Sequence, residues 1–257
     1  MARKWTKFPH ADDAFVHDAA GLKKHWARLH RGDCEPLPKD AGAIAAWQAF
    51  HAGDFGSAVE AGLAAGDSGI NAAVKAQVVH AHYLEPDKGK AALFEEAAGW
   101  ADTRRRNAPK DANAQYLYAF AMGRYSQQIS VTKALAQGLG GKVRDALTAS
   151  MKLEPKHADA NIAYGAYQAE VIDKVGSLVA GVTYGARKDA AIEHFQKALK
   201  LNPESAIARI EYANGLIMLF GKSRLDEATK LYEAAAQHEP ADAMERLDVE
   251  RAKSELE

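Results

Sequence analysis

"PESAIARIEYANG", residues 203–215, sets a proline three residues before an alanine, a second alanine two further on, and then a tyrosine followed by a small residue. The same order appears in "PKDANA" from Pro109 and "PKHADA" from Pro155, and it starts again in "PADAME" from Pro240. The second alanine, the tyrosine and the small residue are Ala114, Tyr118 and Ala119 in the first copy, Ala160, Tyr164 and Gly165 in the next, and Ala208, Tyr212 and Ala213 in the third. Reading backwards from the prolines gives a second register: Ala191, Phe195, Pro203 and Ala228, Tyr232, Pro240, with Val143, Leu147, Pro155 as an apolar variant. A period of this length predicts stacked units, each with too little surface to close a core alone.

These residues resemble the tetratricopeptide repeat. That unit is a helix-turn-helix with a small residue where its two helices touch, an aromatic beside it and a proline ending the second helix. The resemblance runs over residues 110–240, and "AWQAFHAGDFGSAVEAGL" (46–63) reads as one more unit, with Gly53 and Asp54 turning between helices and Ala58 at the crossing. It implies an all-α fold, a tetratricopeptide-like helical-hairpin solenoid with lengthened hairpins. Residues 1–40 are expected to form an N-terminal helical segment packing on the repeats, and residues 41–257 the repeat domain. Helices are predicted over 112–137, 142–153, 158–180, 187–201, 205–220 and 225–238, with a capping helix over 241–255. The long first of these could break at Gly123 or Ser130. The capping helix would line one side with Met244, Leu247 and Leu256.

The repeated prolines lie 46, 48 and 37 residues apart, against about 34 for a standard unit. The extra length falls where two glycine-rich stretches stand: "ALAQGLGGKVRDAL" (134–147) and "LVAGVTYGARKDAA" (178–191). Gly138, Gly140, Gly141 and Lys142 do not make a phosphate loop, because Val143 occupies the hydroxyl position, the first glycine is misplaced and a helical pattern precedes. The stretches read as tight links in which glycine supplies positive φ where a helix stops. With this insert, "VIDKVGSLVAGVTYGARKDAAIEHFQKALKLNP" (171–203) resembles the regulator-of-microtubule-dynamics proteins and the TatT component of bacterial tripartite transporters. The TatT branch consists of exported lipoproteins that form oligomers with apolar channels. No apolar run of signal-peptide length follows "MARKWTKFPHADDAF", so a cytoplasmic protein is expected here, and the TatT resemblance implies a bacterial one.

With 33 Lys and Arg against 34 Asp and Glu in 257 residues, no broad attraction to nucleic acid or anionic membrane is expected, although a local patch would not register in this balance. No run of apolar residues is long enough to span a bilayer. The lone Cys34 forms no internal disulfide and has no identifiable histidine partner. His25 with His30, and His80 with His82, lack metal-ligand spacing. "HRGDC" (30–34) is predicted to be a turn after a helix at 19–30, with Gly32 as its stop. No catalytic motif, cofactor or metal site emerges, so the chain is expected not to be an enzyme.

What remains is the inner face of the first helices, where the register places Tyr116, Phe120, Arg124, Ile162, Ala166, Glu170, Ile210 and Asn214. Only Asn214 suits a clamp for a peptide carboxylate. Arg124 and Glu170 occupy equivalent positions on successive first helices and are expected to pair; Glu170 and Lys174 also stand in the favourable helical order for an ion pair. The face is apolar and aromatic. It suits a peptide or protein segment, which makes the chain an interaction scaffold; the alternative is a carrier for an apolar small molecule or acyl chain between the hairpins. A third reading has the N-terminal residues or a partner copy in a homo-oligomer covering the face as core.

Overall fold

In the computed structural model, which describes residues 3–257, the residue two places after each of the first three repeated prolines caps the helix that follows. Asp111 Oδ1 accepts from the Ala114 N–H at 3.0 Å, His157 Nδ1 from Ala160 at 3.0 Å and Ser205 Oγ from Ala208 at 3.1 Å. Each bond satisfies a backbone donor that the first helical turn leaves without a partner. The motif thus encodes a stop, a cap and a start. The helices are α1 (Ala19–Leu29), α2 (Ala41–Ala52), α3 (Phe55–Ala64), α4 (Ile70–Tyr83), α5 (Asp87–Asn107), α6 (Ala112–Gln127) and α7 (Val131–Ala136). They continue as α8 (Leu139–Leu153), α9 (Ala158–Val175), α10 (Ser177–Val179), α11 (Lys188–Leu201), α12 (Ala206–Phe220), α13 (Leu225–Ala236) and α14 (Ala243–Ser254). No strand occurs among the described residues, and no helix among them is long and apolar enough to cross a membrane.

The chain divides into two compact units whose sequences interleave. The first takes residues up to His30, Cys34–Ser130 and Ala241–Met244; the second takes Arg31–Asp33, Val131–Pro240 and Glu245–Glu257. In the first unit α2 packs on α3, α3 on α4, α4 on α5 and α5 on α6. Gly53 closes α2 and Asp54 caps α3 through the Ser57 N–H, with Ala58 fully buried as expected of a crossing residue. In the second unit α8 packs on α9, α9 on α11 and α12, and α12 on α13. Ala191 and Ala228 are fully buried there, and the Phe195 ring stacks on Tyr212 at 5.2 Å between centroids.

Four details depart from the sequence reading. The helix predicted over 112–137 is two helices, α6 and α7, parted at residues 128–130. Ser130, which favours helix starts over interiors, stands directly before α7, whereas Gly123 is carried inside α6. The helix predicted over 158–180 ends at Val175, because Gly176 adopts φ +79° and ψ 154°. A short restart (α10) and a π-helical turn over Ala180–Tyr184 follow, ending at Gly185 with φ +67°. In α14 the buried apolar side chains are Ala243, Leu247, Val249 and Ala252; Leu256 lies beyond the helix end and is exposed. Finally, the left-handed residue after α1 is Cys34, at φ +53°, rather than Gly32. Gly32 is small for another reason: a Cβ there would lie 2.3 Å from Asp159 Oδ1, in a place where the Gly32 carbonyl accepts from the Asp159 N–H at 3.0 Å.

Candidate functional site

On α6 of the first unit, Tyr116, Phe120 and Arg124 follow one another at four-residue intervals and so share a face. The Tyr116 and Phe120 rings are nearly parallel, at 8° with 5.8 Å between centroids. The Arg124 guanidinium lies over the other end of this ladder, 5.6 Å from the Phe120 centroid, and donates to Gln127 Oε1 at 3.2 Å. Tyr116 is buried, while Phe120 and Arg124 are half-buried. The arrangement presents an aromatic edge and a cation that has already been oriented by its own helix.

In the second unit the positions expected on the inner face divide by depth. Ile162 is buried in a cluster with Ala198 and Ala208, and Ile210 fully so within the core that also holds Ala213 and Leu216. Ala166, Glu170 and Asn214 are half-buried. Asn214 is held in place, since its Oδ1 accepts from the Tyr232 hydroxyl at 2.6 Å. Burial pushes the Tyr232 phenol up to about 12, so it remains a donor at neutral pH. Nearby, the His194 ring tilts against Tyr164 at 4.7 Å between centroids, and His194 Nδ1 meets Asn161 Oδ1 at 3.0 Å. Burial, with Lys197 assisting, lowers the His194 pKa. His194 Nδ1 therefore serves as the donor to Asn161 from a neutral ring.

A buried polar relay in the first unit has almost no signature in the sequence. His51 Nδ1 lies 2.7 Å from Asp242 Oδ2, and His51 Nε2 lies 3.2 Å from His30 Nε2. Trp26 stacks on His30 at 3.9 Å and Trp47 on His51 at 5.8 Å. The one available signal is positional: Asp242 stands two residues after Pro240, where the other copies place a helix cap. An Asp–His–His chain could pass a proton, but all three side chains are almost wholly inaccessible. Without substrate access the geometry amounts to a structural tie. Among the described residues, no group of three or more His, Cys, Asp or Glu is placed to hold a metal ion.

A second polar node joins Glu35, Asn71, Arg104 and Asp111. Arg104 reaches Asp111 at 3.0 Å, and Asn71 Nδ2 lies 3.2 Å from Glu35 Oε2. Asp111 therefore neutralises a guanidinium while it caps α6. The nearby Arg105 guanidinium covers the Tyr118 ring at 4.1 Å. These contacts engage Asp111 at the start of α6, and Phe120 and Arg124 lie half-buried further along the helix.

Comparison with known proteins agrees with this architecture. The crystal structure of a thermophilic TPR protein from Thermus thermophilus matches with a TM-score of 0.58 at 16% identity, covering 83% of this chain and 97% of that one. At that identity the likeness concerns the fold. No curated protein matches the sequence. The family model described as regulator of microtubule dynamics protein 1-3 matches residues 72–257, a span that holds the capped repeats, both glycine-bounded links and the α6 ladder. With well over half of its length matched, the chain belongs to the regulator of microtubule dynamics protein 1-3 family.

Proposed function

We propose that this protein is a non-catalytic scaffold that holds a segment of a partner protein against the Tyr116–Phe120–Arg124 face of α6. Stacked helical hairpins of this kind generally serve as protein-interaction surfaces. The observation that carries the reading is the Tyr116–Phe120–Arg124 ladder, in which an aromatic ring stays half-exposed between a second ring and a guanidinium. Aromatic and arginine side chains of this sort dominate binding energy where a partner seals them from water. A segment with an apolar side chain followed by a carboxylate fits the pair: the apolar group covers Phe120 and the carboxylate meets Arg124.

The test is affinity capture with the full chain as bait, alongside a Phe120→Ala, Arg124→Ala variant whose melting temperature is checked first. The family description attaches its members to microtubule dynamics, so polymerised tubulin is the first defined partner to try. A partner retained by the parent and lost by an equally stable variant supports the scaffold. Equal retention by both removes the ladder from the site. Native mass spectrometry that finds a co-purifying lipid and no polypeptide would turn the reading to a carrier.

A further inference from the structure

The two glycine-bounded links of the second unit carry its most exposed apolar side chains. Leu178 is 81% exposed and Val182 83%, four residues apart along the run between Gly176 and Gly185, with Val179 half-exposed beside them. In the preceding link Val131 and Leu135, also four apart on α7, are exposed as well. The links meet, since a Cβ on Gly140 would lie 2.9 Å from Tyr184 Cε1. Exposed aliphatic side chains grouped on two adjoining links, rather than scattered singly, mark a surface that something covers.

Charge indicates what does. Residues 131–144 contain Lys133, Lys142 and Arg144 and no acid; residues 174–188 contain Lys174, Arg187 and Lys188 and no acid. Acidic residues appear only outside these limits, at Asp145, Asp173 and Asp189, although the whole chain has slightly more acids than bases. Arg144 and Arg187 are paired with Asp145 and Asp189, and Lys188 donates to the Leu219 carbonyl, so the apolar tips are bordered by anchored cations. Lys142 and Lys174 are exposed. Exposed aliphatic side chains bordered by six basic residues and three acids match a bilayer interface, with acyl chains beneath a layer of anionic headgroups.

We infer that the links at 131–142 and 176–187 form a membrane-surface docking site that inserts Leu178 and Val182 shallowly into bilayers containing anionic phospholipid. The site is separate from the α6 ladder and does not depend on it. A single helix tip gives weak, reversible attachment, strengthened by headgroup charge and weakened by salt.

The experiment is co-sedimentation of the full chain with vesicles of phosphatidylcholine alone and of equal parts phosphatidylcholine and phosphatidylglycerol. Binding to the anionic vesicles should exceed binding to the neutral ones by about ten-fold and fall as salt rises. A Leu178→Asp, Val182→Asp variant should lose it with an unchanged melting temperature, because both side chains already face solvent. A Lys142→Glu, Lys174→Glu variant should weaken it. Absence of vesicle binding, or binding that the Leu178 and Val182 changes leave intact, overturns the proposal. So does a self-associating parent whose dimer, by analytical ultracentrifugation, the same double variant dissolves, because the tips would then belong to a second copy of the chain.

Discussion

The Phe195 ring occupies the space that a side chain on Gly215 would need: a Cβ at position 215 would fall 2.5 Å from Phe195 Cε2. The opposite edge of the ring stands in the same relation to Gly165, at 2.9 Å from Cε1. One aromatic on α11 is therefore seated between two glycines, one on α9 and one on α12. Alanine in place of a helical glycine ordinarily stabilises by about 1 kcal/mol. Here the sign should reverse. Gly215→Ala is expected to cost about 1–3 kcal/mol through overpacking, and Phe195→Ala about 3–5 kcal/mol through the cavity it leaves. Urea unfolding midpoints measure both, and a Gly215→Ala variant more stable than the parent would refute the first.

Ala191 and Ala228 are the corresponding small residues at the helix crossings of the second unit, and both are fully buried. Replacing either with leucine adds a branched side chain where helices touch, at a cost of about 1–3 kcal/mol. Thermal melts of the two variants should both shift downward. An unchanged melt at either position would place that alanine away from the contact.

The His51–Asp242 tie links residues 191 positions apart in the chain, at 2.7 Å. Asp242→Ala leaves the buried Nδ1 of His51 without its acceptor, at a cost of about 1–3 kcal/mol for the unpaired donor. A His51→Ala, Asp242→Ala double variant should lose less than the sum of the single losses. Strict additivity in denaturant melts would mean that the contact contributes no coupling energy.

His80 gives stability a pH dependence of predictable sign. Its Nε2 accepts from the Thr6 N–H at 3.2 Å, a bond only an unprotonated nitrogen can accept, and the Trp5 ring packs edge-on at 4.8 Å. Burial, and then the Arg3 guanidinium, lower its pKa to about 4 from the ordinary histidine value. Arg3 in turn is held by Gln77 and Glu96. In the unfolded chain His80 takes up its proton first as pH falls. Folding stability should therefore be unaffected by this group above about pH 6.5, then decline by at most about 1.4 kcal/mol per pH unit down to about pH 4. Unfolding midpoints at pH 7 and 5 should differ more for the parent than for His80→Gln. Equal differences would show that other groups set the slope.

The repeat is readable in the sequence because three physical demands recur at fixed spacing: a proline after a helix end, a cap two residues later and a small residue at each crossing. Asp111, His157 and Ser205 are chemically unlike one another, yet each offers an acceptor at the same position, which is why the motif tolerates their differences. The inner face is less readable. Ile210 and Asn214 are assigned to it by register alone, and register cannot tell a fully buried isoleucine from an asparagine fixed by the Tyr232 hydroxyl. The relay through His30, His51 and Asp242 depends on contacts between distant parts of the chain, which no local pattern carries. Leu178 falls, by pattern, in the last turn of a long helix and Val182 in the link after it; the positive φ of Gly176 ends that helix early and turns both side chains out together.

Interleaving of the two units has a consequence for synthesis. A chain leaving the ribosome tends to fold from its N-terminal end, but here the first unit includes Ala241–Met244, so it cannot be finished until residue 244 has been made. Until then His51 must wait, its acceptor still unmade. The second unit draws on Arg31–Asp33, made long before, and on Glu245–Glu257, made after the first unit's last piece. The first unit, although begun first, is therefore closed only after residue 240 of the second has been made, and a stop codon a few residues before Asp242 would damage both units.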